Sequence, residues 1–263
     1  MGLVAEPSTV EAPRILKRLY LRTEFNRSLN GDGKLRLKLI VDEYMEKVPQ
    51  VAAFCERCLK TERWHGSIVL MVLDAAFTSV GLNYFTVVVP KVKEFYAKFV
   101  GSGEVKSLSD LSRIDVERAM TVWRNRRSWD AAKKVALRLV ESMAESDRLA
   151  LRQWAACSNL EEWRKDTIGS ISGVGLVTYQ YLRMMGGIDT LMPDKVVKKV
   201  INGILVKAGE KPVNDNLQFI KRAEHVAREC GYKPIELCWM TWLVQTKKGL
   251  IRMQKYEEPL SQI

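Results

Sequence analysis

The sequence predicts an all-α fold built from two helical subdomains, and three observations carry the prediction. Apolar residues recur at helical spacing along nearly all of the 263-residue chain. The breaks between these stripes are short and hold Gly, Pro, Asn or Asp, as tight helix–helix connections require. No self-similar period of ~20–50 residues is present, which removes solenoids and propellers.

The elements follow in order. Leu16, Leu19 and Tyr20 open a stripe that ends near Asn30, and Asn30-Gly31-Asp32-Gly33 is a turn. Leu35, Leu39, Ile40 and Tyr44 continue on a second amphipathic helix, which stops before Pro49. Residues 50–60 read as a third. Trp64 to Val80 is apolar enough for a buried core helix, interrupted by Asp74, and residues 81–83 break it. Tyr84 to Val89 is β-branched, but Pro90 follows and Val92, Phe95, Tyr96 and Phe99 hold helical spacing, so a loop and helix are predicted. Ser107 with Asp110 forms a capping pair, Asp130 to Ser146 is an amphipathic helix, and Ser158 with Glu161 reads as a second capping box. Residues 65–190 are expected to form one subdomain, and 1–64 with 191–263 the other.

Composition limits what such a fold does. Apolar residues make up 47% and charged residues 28%, the balance of a chain that buries a core, and disorder is not indicated. The longest apolar run, Ile68 to Val80, falls short of the ~20 residues of a membrane span. Met1 to Pro13 lacks a charged start followed by an apolar stretch, so an intracellular protein is expected, cytoplasmic (nucleoid-associated) or nuclear. The net charge of +11 and pI near 9.4 attract polyanions, either nucleic acid or an anionic membrane surface. The five cysteines are an odd count for a disulfide framework. Cys55-Glu-Arg-Cys58 has ligand spacing, but no second pair completes a zinc set, and two cysteines on one helical turn is the simpler reading.

The informative stretch is 159–187. One helix is predicted from Asn159 toward Ile168, then the turn Ser172-Gly173-Val174-Gly175, then a helix through Val177, Tyr181 and Leu182 to Gly186-Gly187. Gly173 and Gly175 are expected to supply positive φ and close backbone approach. The turn feeds a helix N-terminus, whose unpaired amides suit a phosphate oxygen without reading bases. Met192-Pro193-Asp194 then opens a new helix through Ile201, with a carboxylate that the helix N-terminus stabilises in its ionised form.

On these residues the chain resembles the helix-hairpin-helix DNA glycosylase superfamily, which includes endonuclease III and the adenine and alkyladenine glycosylases. Members carry a G-V-G or G-I-G turn and, about twenty residues on, an Asp opening a D-x-x-V-x-R-V-like helix. Here Gly175 and Asp194 are nineteen residues apart, and Asp194-Lys-Val-Val-Lys-Lys-Val fits the second part. The resemblance spans about residues 65–205, with its specific signal in 168–201. It implies a cleft between the two subdomains, double-stranded DNA as partner, no membrane association and a monomer. It further implies base excision, with Asp194 stabilising the oxocarbenium-like state and positioning water. Ser172, Gly173, Val174, Gly175, Val177, Thr178 and Lys198 become candidate DNA contacts, and Phe77 a candidate wedge or an ordinary core aromatic. Members that also cut the strand carry a lysine where this chain has Val177, so a monofunctional glycosylase is implied. Only Cys230 and Cys238 fall where other members hold an iron–sulfur cluster with four cysteines, so no cluster is expected. No metal ligand set is expected either, and a monovalent cation at the hairpin is the only candidate cofactor.

Three readings stay open on sequence: a base-excising enzyme, with Lys165 or Lys195 as a displaced lyase nucleophile in a bifunctional version; a non-catalytic DNA-binding protein that kept the hairpin; and an all-α interaction scaffold. Trp239 and Trp242 are expected in the core. Trp123 and Trp129 flank Arg124-Asn-Arg-Arg127, which suits either a nucleic-acid surface or a solvated charge run.

Overall fold

Every regular element in the computed structural model, described over residues 33–244, is a helix. The α-helices are α1 (Gly33–Met45), α2 (Val51–Leu59), α3 (Ile68–Thr78), α4 (Val89–Phe95), α5 (Leu108–Arg113), α6 (Val116–Ala119), α7 (Arg126–Val140), α8 (Asp147–Cys157), α9 (Leu176–Met185), α10 (Lys195–Lys207), α11 (Asn216–Glu229) and α12 (Pro234–Val244). Wider turns at Tyr84–Val88 and Tyr96–Val100 flank α4. The stripe from Leu16 to Asn30 lies outside the described residues.

Side-chain caps decide most of the starts. Asn125 Oδ1 accepts from Ser128 N at 3.1 Å, so α7 begins at Arg126, four residues ahead of the predicted Asp130. It ends at Val140, and Ser146 caps α8 through Leu149 N instead of closing α7. The predicted box at Ser107 and Asp110 forms, with both reciprocal bonds.

Two predicted features do not form. Residues 158–175 make successive turns, with no helix toward Ile168 and no capping box at Ser158 and Glu161. The cause is local side-chain competition. Asn159 Oδ1 takes Glu161 N, and Asp166 Oδ1 takes the amides of Ile168 and Gly169 together with Trp154 Nε1, which starts a fresh turn where a helix would continue. The core helix also starts late: Trp64 and His65 have φ of 52° and 54°, so α3 begins only after Ser67.

All eleven residues of α3 are buried, and it packs against α4, α5, α7, α8 and α9. The described ends of the chain meet, with α12 against α1, α2, α10 and α11, and α10 against α1. Helix α9 touches both sets, through α2 and α3.

Asp74, the interruption in the apolar run, ties the sets together. Its Oδ2 accepts from Arg63 Nη2 (3.2 Å), Trp64 Nε1 (2.9 Å), Tyr84 OH (3.0 Å) and Tyr181 OH (2.9 Å). Arg63 also reaches both tyrosine hydroxyls and lies 4.8 Å over the Trp239 ring. Burial pushes both phenols up, so they remain protonated donors. The left-handed turn at Trp64 and His65 brings the Arg63 and Trp64 side chains to one carboxylate, at a backbone cost of ~1–3 kcal/mol per residue.

Candidate functional site

The turn before α9 is shaped by contact with α7. Ile171 and Val174 are buried as plugs, Ser172 is exposed, and Gly173 lies between them at φ +100°. A Cβ at 173 would stand 3.1 Å from Ala131 Cβ, so this glycine serves both conformation and close approach. Gly175 corrects the expectation: its φ is −94°, and nothing lies within 4 Å of where its Cβ would be. Its missing side chain leaves open space in front of α9.

That space is a cleft of about 400 Å³ with Gly173, Gly175, Val177 and Thr178 on one wall. Gly175 is the N-cap of α9 and brings no side chain to it, so the first-turn amides carry no side-chain cap. Thr178 is 2% exposed, and its Oγ1 has no hydrogen-bond partner among the described residues. Asn125, Arg127 and Ser128, at the N-terminus of α7, form the opposite wall. Two helix N-termini, each with a partial positive charge, therefore border one cleft. The Arg127 side chain is exposed and makes no hydrogen bond or ion pair among the described residues.

Asn216 closes the cleft and connects it to the predicted acid. Lys198 Nζ donates to Asn216 Oδ1 at 2.8 Å and to Asn214 O at 2.5 Å, so this lysine is committed within the fold and not presented freely. One turn earlier stands Asp194, the N-cap of α10, whose Oδ1 accepts from Val196 N at 2.7 Å. The carboxylate is half-buried. Burial pushes its pKa above the ordinary carboxylate value, against the opposing pull of the first-turn amides. The helix N-terminus favours the ionised form, as expected, but desolvation outweighs the amides. Asp194 does not line the cleft; it lies beyond Lys198 on the neighbouring helix start.

The chain matches no family model, no curated protein and no solved structure.

Several other predicted positions have different surroundings. Phe77 is fully buried, stacked on Trp123 at 4.5 Å and edge-on to Trp129 at 5.1 Å, so it is a core aromatic and not a wedge in this structure. Trp123 and Trp129 turn inward with it, which leaves only the exposed Arg124, Arg126 and Arg127 on that surface. Trp239 is buried, as expected, and Trp242 is partly buried against the core. Val177 is half-buried, and Lys165 and Lys195 are exposed, Lys165 in an ion pair with Glu162. Cys55 and Cys58 sit on one turn of α2, both buried. Burial raises the Cys58 thiol to about 11 and the Cys238 thiol to about 12, so both stay protonated.

Sequence reasoning missed Asn125, Asn216 and the buried polar chain through Gln180 and Thr190. Asn125 followed three residues later by Ser128 is a readable N-cap pattern. Asn216 leaves no local signal because its partner Lys198 lies on α10, and the Gln180 amide nitrogen reaches Thr190 and Leu191 outside its own helix.

Proposed function

We propose that the protein is a DNA base-excision glycosylase that hydrolyses the N-glycosidic bond of a flipped base. The observation that carries the reading is the sequence of two consecutive helix starts. The first, at α9, has no side-chain cap and opens on a polar cleft; the second, at α10, holds a desolvated carboxylate. The Gly173–Gly175 turn, the amides of α9 and Arg127 suit backbone phosphate oxygens. The loop after α3 exposes Val80 (40%) on the cleft, and this side chain, in place of Phe77, is suited to fill the gap left by an extruded base.

In this mechanism the ionised Asp194 faces positive charge developing on the sugar as the C1′–N bond breaks. It accepts a proton from the attacking water while the new C1′–O bond forms. The departing base takes the electron pair of the broken bond and is protonated from solvent. Val177 offers no amine, so release without lysine-mediated strand cleavage is expected.

A second reading, a non-catalytic DNA-binding protein, draws on one fact: Asp194 already has a structural task as the α10 cap. A panel of duplexes, each with one altered or mismatched base and with free base and strand breaks scored separately, decides between them. Base release by wild type and none by Asp194→Asn supports the enzyme. Salt-sensitive binding with no release from any duplex supports the binder.

A further inference from the structure

Gln180 is fully buried on the inner face of α9, and all its contacts lead away from its own helix start. Its Nε2 donates to Thr190 Oγ1 and to the Leu191 carbonyl, both at 2.8 Å, and its Oε1 accepts from Arg183 Nη1 at 2.6 Å. The Thr190 hydroxyl donates onward to Glu224 Oε1 at 2.6 Å, on α11. Leu191, Met192 and Pro193 are buried, and Pro193 fixes its own φ. The three-residue path from the Gln180 anchor to Asp194 therefore has little freedom left. An apolar residue would fill position 180 without needing partners, whereas a buried amide is stable only with its donors and acceptor engaged.

We propose that Gln180 is a positioning residue: by holding Thr190 and Leu191 it fixes where the Asp194 carboxylate stands relative to the α9 N-terminus. The helix that faces the cleft then also sets the place of the acid. A displacement of about 1 Å at a reacting group costs on the order of 100-fold in rate. The catalytic consequence rests on the glycosylase reading; the mechanical link does not.

The test compares the full-length protein with Gln180→Met, which keeps the volume and removes the donors, and with the milder Thr190→Val. Three quantities are measured: amide hydrogen exchange at Met192 and Val196, affinity for a duplex carrying a tetrahydrofuran abasic analogue, and single-turnover base release from a duplex that wild type processes. Faster exchange at Val196 with the α9 interior amides unchanged is expected in both variants, with the larger effect in Gln180→Met. Base release is expected to fall about 10- to 100-fold at unchanged duplex affinity. Unchanged Val196 exchange in both folded variants overturns the proposal, as does a loss of rate that only tracks a loss of affinity. If wild type releases no base from any duplex, the glycosylase reading falls, and the exchange result alone decides the role of Gln180.

Discussion

At the residue scale, two aspartates with opposite tasks set the expectations. Asp194 has a raised folded-state pKa, so the native state binds more protons than the unfolded chain across the window just above the ordinary carboxylate value. Stability therefore falls as pH rises through that window, and ionised Asp194 costs the fold something at neutral pH. Asn caps helices about as well as Asp. Asp194→Asn is thus expected to abolish base release, by about 100-fold or more, with a Tm at pH 7 equal to or above wild type in a thermal melt. The acid limb of the pH–rate profile is expected to lie above the ordinary carboxylate pKa of ~3.9; a limb at or below that value contradicts Asp194 as the base. Asp74 behaves differently. Its removal strands a fully buried Arg63, so Asp74→Ala is expected to lower stability by about 3–5 kcal/mol in denaturant titration.

At the element scale, the turn before α9 separates stability from binding. Gly173→Ala meets both a φ of +100° and a 3.1 Å contact with Ala131, and is expected to cost ~1–3 kcal/mol in chemical unfolding. Gly175→Ala has an ordinary φ and open space, so the fold is expected to tolerate it. The new methyl, however, stands where a phosphate would approach the α9 amides, so duplex affinity is expected to fall in a filter-binding titration. Equal affinity for Gly175→Ala and wild type would remove this helix start from the interface. The same scale explains the lost helix before the turn. Residues 159–168 have acceptable helix composition, but Asn159 and Asp166 give the backbone alternative partners, and those short-range bonds prevail.

At the scale of the whole molecule, the positive charge is not confined to one motif. Arg127 on α7 reaches the cleft, Arg124 lies just before it, and Lys195 and Lys199 are exposed on α10. Arg127→Ala is expected to weaken duplex binding and to reduce the slope of log affinity against log salt by about 1, measured by anisotropy at several salt concentrations. An unchanged slope places Arg127 outside the phosphate contacts. No helix among the described residues is long and apolar enough to cross a membrane. The buried Asp74 network joins α3, α9 and the segment before α3, so loss of one partner is expected to be felt well beyond its own helix.

The sequence by itself determined the all-α class, the helices around 35–44, 50–60, 68–78, 130–140 and 177–185, the capping pair at Ser107 and Asp110, the turn at 172–175 and the helix start at Asp194, but not α8 or α11. These depend on spacing and on contacts within about one helical turn, which the chain order displays directly. Only the tertiary structure decided that Phe77 is core, that Lys198 is committed to Asn214 and Asn216, that burial raises Asp194, and that Gln180 anchors the loop before it. Each of these depends on a neighbour from a distant segment or on exclusion of water. Neither is encoded in local periodicity, because both arise only when α9 and α10 are brought against α3, α11 and α12.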